Sequence, residues 1–280
     1  MTTRADWSRA TRLTVVQFLA CWEALGLGDA PLALNLRPVG RTREEHRRMH
    51  GAALAELAAR GLADPVTHAP GAGPAGTLRL LAGAALLADL RLTGDRVAVG
   101  AMHRESGAVV LLGGGALRLL DVPGPLVPAA LVDLVGPLRP AAARQVNIPA
   151  EALDQACRTA PDGDPWALAD RLAELGVPPA DGHSLALMCA GMSAAGQLGV
   201  TARETTDAGT RERRGRWVVG FHRARAGDCL QLRRPCGPPH REPGGTVTVG
   251  PVSARTLLAQ VTELLRDTAG QIAYDHPVSA

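Results

Sequence analysis

The stretch RVAVGAMHRESGAVVLL at Arg96–Leu112 returns in outline as RWVVGFHRARAGDCLQL at Arg216–Leu232, 120 residues further along the chain. Without a gap, the two stretches coincide at Arg96/Arg216, Val99/Val219, Gly100/Gly220, Gly107/Gly227 and Leu112/Leu232. Beyond each stretch a Gly-Pro pair opens an apolar pattern of helical period. In these helical patterns Leu131, Val135 and Leu138 correspond to Leu257, Val261 and Leu264.

A unit of two hairpin-joined strands and a closing helix, used twice, predicts two halves related by a pseudo-two-fold axis. We therefore predict an α+β fold with a central antiparallel β-sheet flanked by helices. Residues 1–140 form the N-terminal half, with a helix-strand-helix start, a β-meander and a closing helix. Residues 141–280 form the C-terminal half, with a strand, helices, a second meander, a closing helix and a frayed tail. The join at Arg139–Ala143 is short and unlike a linker, so we expect one compact body.

Local signals place the remaining elements. Thr14-x-x-Gln17 and Thr42-x-x-Glu45 match the capping box that starts a helix, and Gly61-Leu62 matches a Schellman stop. Three leucines at alternate positions in Leu32–Leu36 predict a short strand. Further helices are predicted at Leu78–Leu87, Pro128–Leu138, Ala150–Arg158, Trp166–Leu175, His183–Ala190 and Ser253–Arg266. Further strands are predicted at Asp89–Leu92, Arg96–Met102, Ala108–Leu112, Leu117–Asp121, Arg144–Ile148, Gln197–Thr206, Arg216–Arg223, Cys229–Arg233 and Thr246–Val249.

Composition narrows the class of protein. A chain of 280 residues that is 46% apolar can bury a substantial core, and a formal net charge of +3 does not require a polyanionic partner. Five cysteines, an odd number without Cys-x-x-Cys spacing, favour a reduced cytoplasm over a disulfide framework. The N-terminus has no apolar region before Leu13, and no apolar run approaches about 18 residues. We therefore expect neither a signal peptide nor membrane insertion.

Seven phrases, in order over residues 13–266, carry a family resemblance. They are LTVVQFLACWEALGLGDAPLALNL at Leu13–Leu36, GRTREEHRR at Gly40–Arg48, AELAARGL at Ala55–Leu62, RQVNIPAEAL at Arg144–Leu153, GQLGVTARE at Gly196–Glu204, GRW at Gly215–Trp217 and TVTVGPVSARTLLAQVTELL at Thr246–Leu265. Together they resemble the EspG family of ESX (type VII) secretion-associated chaperones. The chain departs from that family at Thr93–Asp95, where the family has a longer loop that contributes to client contact.

The resemblance implies a cytoplasmic, non-enzymatic chaperone with a central antiparallel sheet and quasi-two-fold halves. Family members bind PE–PPE heterodimers and hold the hydrophobic tip of the PPE subunit before export. The implied partner of this chain is therefore a secreted helical protein or heterodimer, PE–PPE-like or WxG-type. No cofactor is implied.

Strand parity predicts where a partner would bind. The core face is assigned to two sets of side chains, Trp217, Val219 and Phe221 on one strand and Leu198, Val200 and Ala202 on another. The opposite face then carries the predicted partner-binding residues Gln197, Thr201, Arg203, Val218 and His222, and the helices within Ala150–Ala190 add Leu168 and Leu172 as a wall. In the alternative interpretation the five strand residues are the solvated side of a sheet and the two leucines are core.

We predict no catalytic, cofactor-binding or metal site. Gly71-Ala-Gly73-Pro-Ala-Gly76 matches the dinucleotide fingerprint, but no strand or βαβ unit surrounds it, so we expect a plain loop over Asp64–Gly76. His46 and His50 have a spacing that can ligate zinc, but the sequence supplies no clear third ligand, and a partly buried helix face is the preferred interpretation. An enzyme that uses the Asp64–Gly76 loop is an alternative, which predicts protection by nucleotides against thermal unfolding.

A nucleic-acid-binding module using the Arg211–Arg234 region is the other alternative. The arginines of this region would bind phosphates, so the binding would weaken steeply with salt. However, Trp217 and Phe221 are assigned to the core face and cannot stack on bases, and Glu204 and Glu212 dilute the positive charge. We therefore expect no nucleic-acid partner.

Overall fold

The computed structural model describes residues 5–161, 163–206, 209–235 and 245–275. The helices are α1 Val15–Ala24, α2 Arg43–Ala59, α3 Ala72–Gly83, α4 Val127–Asp133, α5 Ala150–Thr159, α6 Pro165–Glu174, α7 Pro179–Cys189 and α8 Ala254–Asp275. The strands are β1 Thr11–Thr14, β2 Leu86–Leu92, β3 Val97–Met102, β4 Ser106–Gly113, β5 Ala116–Pro123, β6 Val146–Pro149, β7 Ala194–Thr206, β8 Gly209–Arg214, β9 Val219–Ala224, β10 Gly227–Pro235 and β11 Gly245–Pro251.

These strands form one sheet in the order β1-β5-β4-β3-β2-β7-β9-β10-β11-β6, with β8 paired to β7. The hairpins β3–β4 and β9–β10 are antiparallel. The strands that flank these hairpins also pair antiparallel, in the pairs β2–β3, β4–β5, β7–β9 and β10–β11. The predicted α+β class with a central antiparallel sheet and flanking helices is confirmed. Among the described residues, no helix combines the length and the apolar character that a bilayer crossing needs.

The chain divides into two units, Met1–Leu134 with Thr201–Arg213 and Val135–Val200 with Arg214–Ala280. The first unit contains the meander β2–β5 followed by α4, and the second contains β9, β10 and β11 followed by α8. This order of elements agrees with the predicted repeat. The pseudo-two-fold axis, the boundary at residues 140 and 141 and the single compact body stay predictions.

The start of α1 and the end of α2 follow local rules that the sequence signals predicted. The Thr14 hydroxyl accepts a hydrogen bond from the Gln17 N–H, and the Gln17 side chain accepts one from the Thr14 N–H at 3.0 Å. Gly61 has a φ of +69°, and the Leu62 N–H donates to the Leu57 carbonyl at 2.9 Å, which is the Schellman arrangement. The Thr14–Gln17 capping box and the Schellman stop are confirmed. At Thr42 only half of the predicted box forms, because the Glu45 carboxylate accepts from the Arg41 N–H and not from the Thr42 N–H.

The glycines shared by the two hairpins serve different purposes. In the first hairpin, a Cβ on Gly100 or Gly107 would collide with the Val127 side chain, so these glycines let α4 approach the sheet closely. In the second hairpin, Gly227 has a φ of +128° and a Cβ there would lie 2.6 Å from the Ala141 Cα. Glycine therefore allows the close packing of a helix in the first unit. In the second unit it allows a turn that packs closely against another backbone segment.

Several local predictions are wrong or incomplete. The helix predicted at Pro128–Leu138 ends at Asp133, and the last residues of the helix predicted at Leu78–Leu87 belong to β2. Leu32–Leu34 forms a 3-10 helix and not a strand, because the left-handed Asn35 (φ +47°) ends the segment and Leu32 is 79% exposed. α3 begins at Ala72, inside the predicted Asp64–Gly76 loop. β8 was not predicted. α8 continues to Asp275, beyond the predicted helix end at Arg266 and into the tail that was predicted to fray, while residues 276–280 lie outside the described part.

Candidate functional site

The predicted partner-binding residues fall into two groups. Thr201 and Arg203 belong to the first unit, whereas Gln197, Val218, His222, Leu168 and Leu172 belong to the second. Each group is therefore described within its own unit.

Arg203 is fixed in the first unit by charge-assisted hydrogen bonds. Its guanidinium donates to the Glu212 carboxylate at 2.6 Å and to the Ala82 carbonyl at 2.8 Å, and its side chain is only 8% exposed. Thr201 on the same strand is half-buried. Because the Arg203 head group is already bound, this residue stabilises the end of β7 against α3.

In the second unit, one face of the sheet is buried under α8, as parity predicted. Val219, Phe221 and Trp217 are buried, and so are Leu198 and Val200 on β7. On α8, the side chains of Leu257, Val261 and Leu264 are fully buried. Polar contacts fix the same layer, because the Trp217 Nε1–H donates to Asp267 at 3.1 Å and Arg234 reaches Glu263 at 2.7 Å.

The opposite face of β7, β9 and β10 is open to solvent over part of its length, while α7 covers it at His222 and Cys229. Gln197 lies across from Gly220, and Gly220 lies across from Gln231, so the three positions form one row over three strands. Gln197 and Gln231 are exposed, Gly220 is half-buried, and Val218 just before β9 is half-buried. We call Gln197, Val218, Gly220, Gln231 and Arg233 the open floor. Gly199 adjoins it, and the Arg214 guanidinium occupies the space that a side chain there would take.

Helices α5–α7 cover the same face where it continues onto β11 and β6. Val249 and Val146 extend the Gln231 row, and both are buried among α5–α7 residues. At the border, Arg233 of the open floor makes two hydrogen bonds with Asp154 of α5, at 2.8 and 2.6 Å. We call α5–α7 the helical wall. A strip of open sheet therefore runs beside helices within one unit.

The predicted wall and floor residues differ in accessibility. Gln197 is exposed, and Leu168 and Val218 are half-buried. Leu172 is fully buried in the core between the helical wall and the sheet, and His222 is 6% exposed with its ring Nε2 2.8 Å from the Met188 carbonyl oxygen. Neither Leu172 nor His222 presents its side chain to a partner in this conformation, because both hold α6 and α7 onto the sheet.

Three arginines of the Arg211–Arg234 region, Arg223, Arg233 and Arg234, form ion pairs with carboxylates. Arg223 binds the buried Asp228 at 2.8 Å, which raises the pKa of Arg223 through the hydrogen bond and the charge of that carboxylate. Arg233 binds Asp154, and Arg234 binds Glu263 while lying 4.8 Å from the Trp217 ring centroid. Trp217 itself is buried. These pairs and the burial of Trp217 argue against a phosphate-binding stripe with stacking aromatics.

The glycine-rich motif does not have the geometry of a dinucleotide site. Gly73 and Gly76 lie within α3, and the chain before them forms an isolated bridge between Ala63 and Pro70 and no strand. The next strand, β2, pairs antiparallel with β3. The motif therefore lacks the strand-turn-helix context in which a pyrophosphate meets a helix N-terminus.

A polar cluster in the first unit contains the His46–His50 pair and a carboxylate. The Oε2 atom of Glu23 lies 2.8 Å from His46 Nε2 and 2.8 Å from His50 Nδ1. The hydrogen bond from His46 lowers the pKa of Glu23, and the bond to the Val39 carbonyl, together with that to Glu23, raises the pKa of His46. Burial lowers the pKa of His50, with a further contribution from the charge of His46.

Sequence reasoning missed Glu23, Gln231 and the Arg233–Asp154 pair. Parity along β10 would have placed Gln231 and Arg233 on the open face, because Leu230 and Leu232 alternate with them. Asp154 and Glu23 carried no such signal, since each meets its partner across a long sequence separation.

The chain matches both a family model and solved structures. The model of the EspG family matches residues 14–263. Among solved structures, the chain is similar to that of the Mycobacterium tuberculosis type VII secretion system chaperone EspG5 in complex with PE25-PPE41 dimer, with a TM-score of 0.70 and 15% sequence identity over 92% of this chain and 96% of that chain. This likeness shows a shared fold. No curated protein matches the chain. Because the family model covers most of the 280 residues, the chain belongs to the EspG family.

Proposed function

We propose that this chain is a cytoplasmic chaperone of type VII secretion that binds a helical client of the PE–PPE kind and keeps the client's hydrophobic tip soluble. The observation that carries the proposal is the family match over residues 14–263. It is supported by the fold shared with EspG5, a chaperone solved in complex with a PE25-PPE41 dimer. The role requires no catalytic residue and no cofactor.

We place the client on the open floor beside the helical wall. A helical tip that packs into a groove needs one floor and one side, and the second unit offers both in β7, β9, β10 and α5–α7. Of the residues predicted from sequence, Gln197, Val218 and Leu168 border this groove. Leu172 and His222 would support it from beneath, whereas Thr201 and Arg203 lie in the first unit and are not part of this proposed site.

The chemistry of the open floor suits a client that must be released. Gln197, Gln231 and the Arg233–Asp154 pair are polar, whereas Val218 and Leu168 supply limited apolar area. Polar rims with a small apolar centre are typical of non-obligate interfaces. An interface of roughly 1,600 Å² of this composition would give a stable complex that the secretion machine can still dissociate.

The test is co-expression with PE–PPE-like pairs of small helical proteins, chosen first from any that are encoded beside this gene, followed by size-exclusion chromatography and titration calorimetry. We expect one pair to co-elute with the chain at both low and high salt. Gln231→Trp and Gln197→Trp place a bulky ring on exposed floor positions, and each should weaken binding at least about tenfold. Ala259→Trp, at an exposed position of α8, is the matched control and should bind normally.

Three results would contradict the proposal. One is the absence of any complex with these pairs. Another is equal binding by the floor variants and by Ala259→Trp, which would place the client elsewhere. The third is an interaction with nucleic acid that weakens steeply with salt, which would favour the alternative based on the arginines of Arg211–Arg234.

A further inference from the structure

Two helices of the first unit direct three ligand-type atoms at one point. His46 and His50 lie one helical turn apart on α2, and Glu23 lies at the end of α1. One nitrogen from each imidazole and a carboxylate oxygen all lie within 4.8 Å of one another. Sequence spacing alone supplied the two histidines, and the packing of α1 on α2 supplies the third ligand.

The surroundings orient the ligands toward the cluster. The Nδ1 of His46 lies 2.9 Å from the Val39 carbonyl oxygen, so Nδ1–H donates there and Nε2 faces Glu23. A backbone carbonyl on the second ring nitrogen is the arrangement that fixes metal-binding histidines. Gly40, with a φ of +86°, permits the close approach of this loop to α2, because a Cβ on Gly40 would lie 2.7 Å from the backbone nitrogen of His46.

The environment of the cluster also favours a bound cation. Glu23 is one residue from the end of α1, where the helix dipole disfavours a negative charge. His50 is buried and its Nδ1 faces the carboxylate, while its Nε2 has no hydrogen-bond partner among the described residues. A cation bound between these three groups would neutralise the unfavourable negative charge of Glu23 at the end of α1.

The ligand set selects a chemical class of ion. Two imidazole nitrogens and one carboxylate oxygen are typical of zinc and similar transition metals, whereas magnesium and calcium prefer oxygen ligands. Bonds of about 2.0–2.1 Å in a tetrahedral shell put ligand atoms about 3.3 Å apart. The carboxylate oxygen lies 2.8 Å from each nitrogen, so the exposed Glu23 side chain must retreat by about half an ångström, which a surface rotamer allows.

We propose that Glu23, His46 and His50 form a binding site for a divalent transition-metal ion of the zinc class. The ion has three protein ligands and a fourth position for water from the adjoining cavity of about 1100 Å³. Bound there, it joins α1 to α2 and, through His46, to the Val39 carbonyl. It thereby fixes the segment between the two helices. The site does not depend on the proposed chaperone role.

The experiment uses the full chain without a histidine tag, stripped of metal by dialysis against a chelator. Zn²⁺ is titrated in competition with a chromophoric chelator, and Co²⁺ is added as a spectroscopic probe. We expect one ion per chain, visible Co²⁺ bands of a tetrahedral site, and a Tm that rises with Zn²⁺. Glu23→Gln and His46→Gln should weaken Zn²⁺ binding at least about tenfold, whereas His103→Gln, on an exposed loop, should not.

Glu23→Gln is the decisive variant because the side chain of Glu23 is 60% exposed, so its loss leaves the core intact. Its folding is checked by thermal melting in the presence of chelator. Equal Zn²⁺ affinity of folded Glu23→Gln and wild type would overturn the proposal. The proposal would also fail if His103→Gln weakened Zn²⁺ binding as much as His46→Gln does. A thiolate-to-cobalt charge-transfer band would likewise overturn it, because such a band would assign the ion to cysteines.

Discussion

The two faces of the second-unit sheet have the same backbone but opposite surroundings. One face buries Val219, Phe221 and Leu232 beneath the 22-residue helix α8. The other presents Gln197 and Gln231 to solvent, and α5–α7 cover it at His222 and Cys229 and over β11 and β6. Side chains of the first face stabilise the fold, and the second face is the one that we propose for recognition. The adjacent residues Arg233 and Arg234 illustrate the division, since one binds α5 and the other α8.

The largest effect on stability is expected under α8. Leu264→Ala removes a fully buried side chain and leaves a cavity, so the free energy of unfolding should fall by about 2–5 kcal/mol. Urea denaturation followed by circular dichroism measures this fall, with the exposed Arg266→Ala as the control. The folded fraction of Leu264→Ala should still bind client, because the open floor is unchanged. A loss below 1 kcal/mol would mean that α8 packs loosely, contrary to the comparison.

A smaller effect is expected at the polar edge of the same layer. Trp217→Phe keeps an aromatic ring but removes the hydrogen bond from Nε1 to Asp267, and it weakens the contact with the Arg234 guanidinium. The free energy of unfolding should fall by about 1 kcal/mol. Adding Asp267→Asn to Trp217→Phe should cause little further loss of stability, because the first change has already removed the donor of this hydrogen bond. An unchanged stability would show that solvent replaces this bond without cost.

How far the sequence could predict these two faces depends on the range of each interaction. Alternation along β7 and β9 correctly assigned Leu198, Val219 and Phe221 to the core, because parity is a local property of a strand. It placed His222 on the opposite face but could not show that α7 covers it there, since Met188 lies 34 residues away in the chain.

The failures have similar causes. Leucine alternation at Leu32–Leu36 predicted a strand, but no sheet neighbour accepts that segment and a left-handed Asn35 turns it into a 3-10 helix. The frayed tail was predicted from lost periodicity, yet Thr268 is fully buried and its hydroxyl donates to the Leu264 carbonyl at 2.8 Å, which carries α8 onward. Glu23 joins His46 only through the packing of α1 on α2, and the sequence holds no local sign of that contact.

The smallest effect is expected where the open floor meets the helical wall. Hydrogen bonds from Arg233 hold the pKa of Asp154 below its ordinary value of 3.8. A carboxyl group with a lowered folded-state pKa contributes stability above its unfolded-state pKa, and this contribution disappears as the pH falls through the folded-state value. Asp154→Asn should therefore lower the urea midpoint slightly at pH 7 and by less at a pH below 3.8, where the contribution of the carboxylate decreases. An equal difference at both pH values would contradict this origin.

Photocrosslinking tests the central claim, that the open floor and not the α8 side receives the client. The residues Gln231, Gln197 and Ala259 are replaced one at a time by p-benzoylphenylalanine, and each variant is irradiated with its bound client. We predict crosslinks to the client from Gln231 and Gln197 and none from Ala259. Crosslinks from Ala259 alone, in a complex that still forms, would contradict the assignment of the two faces.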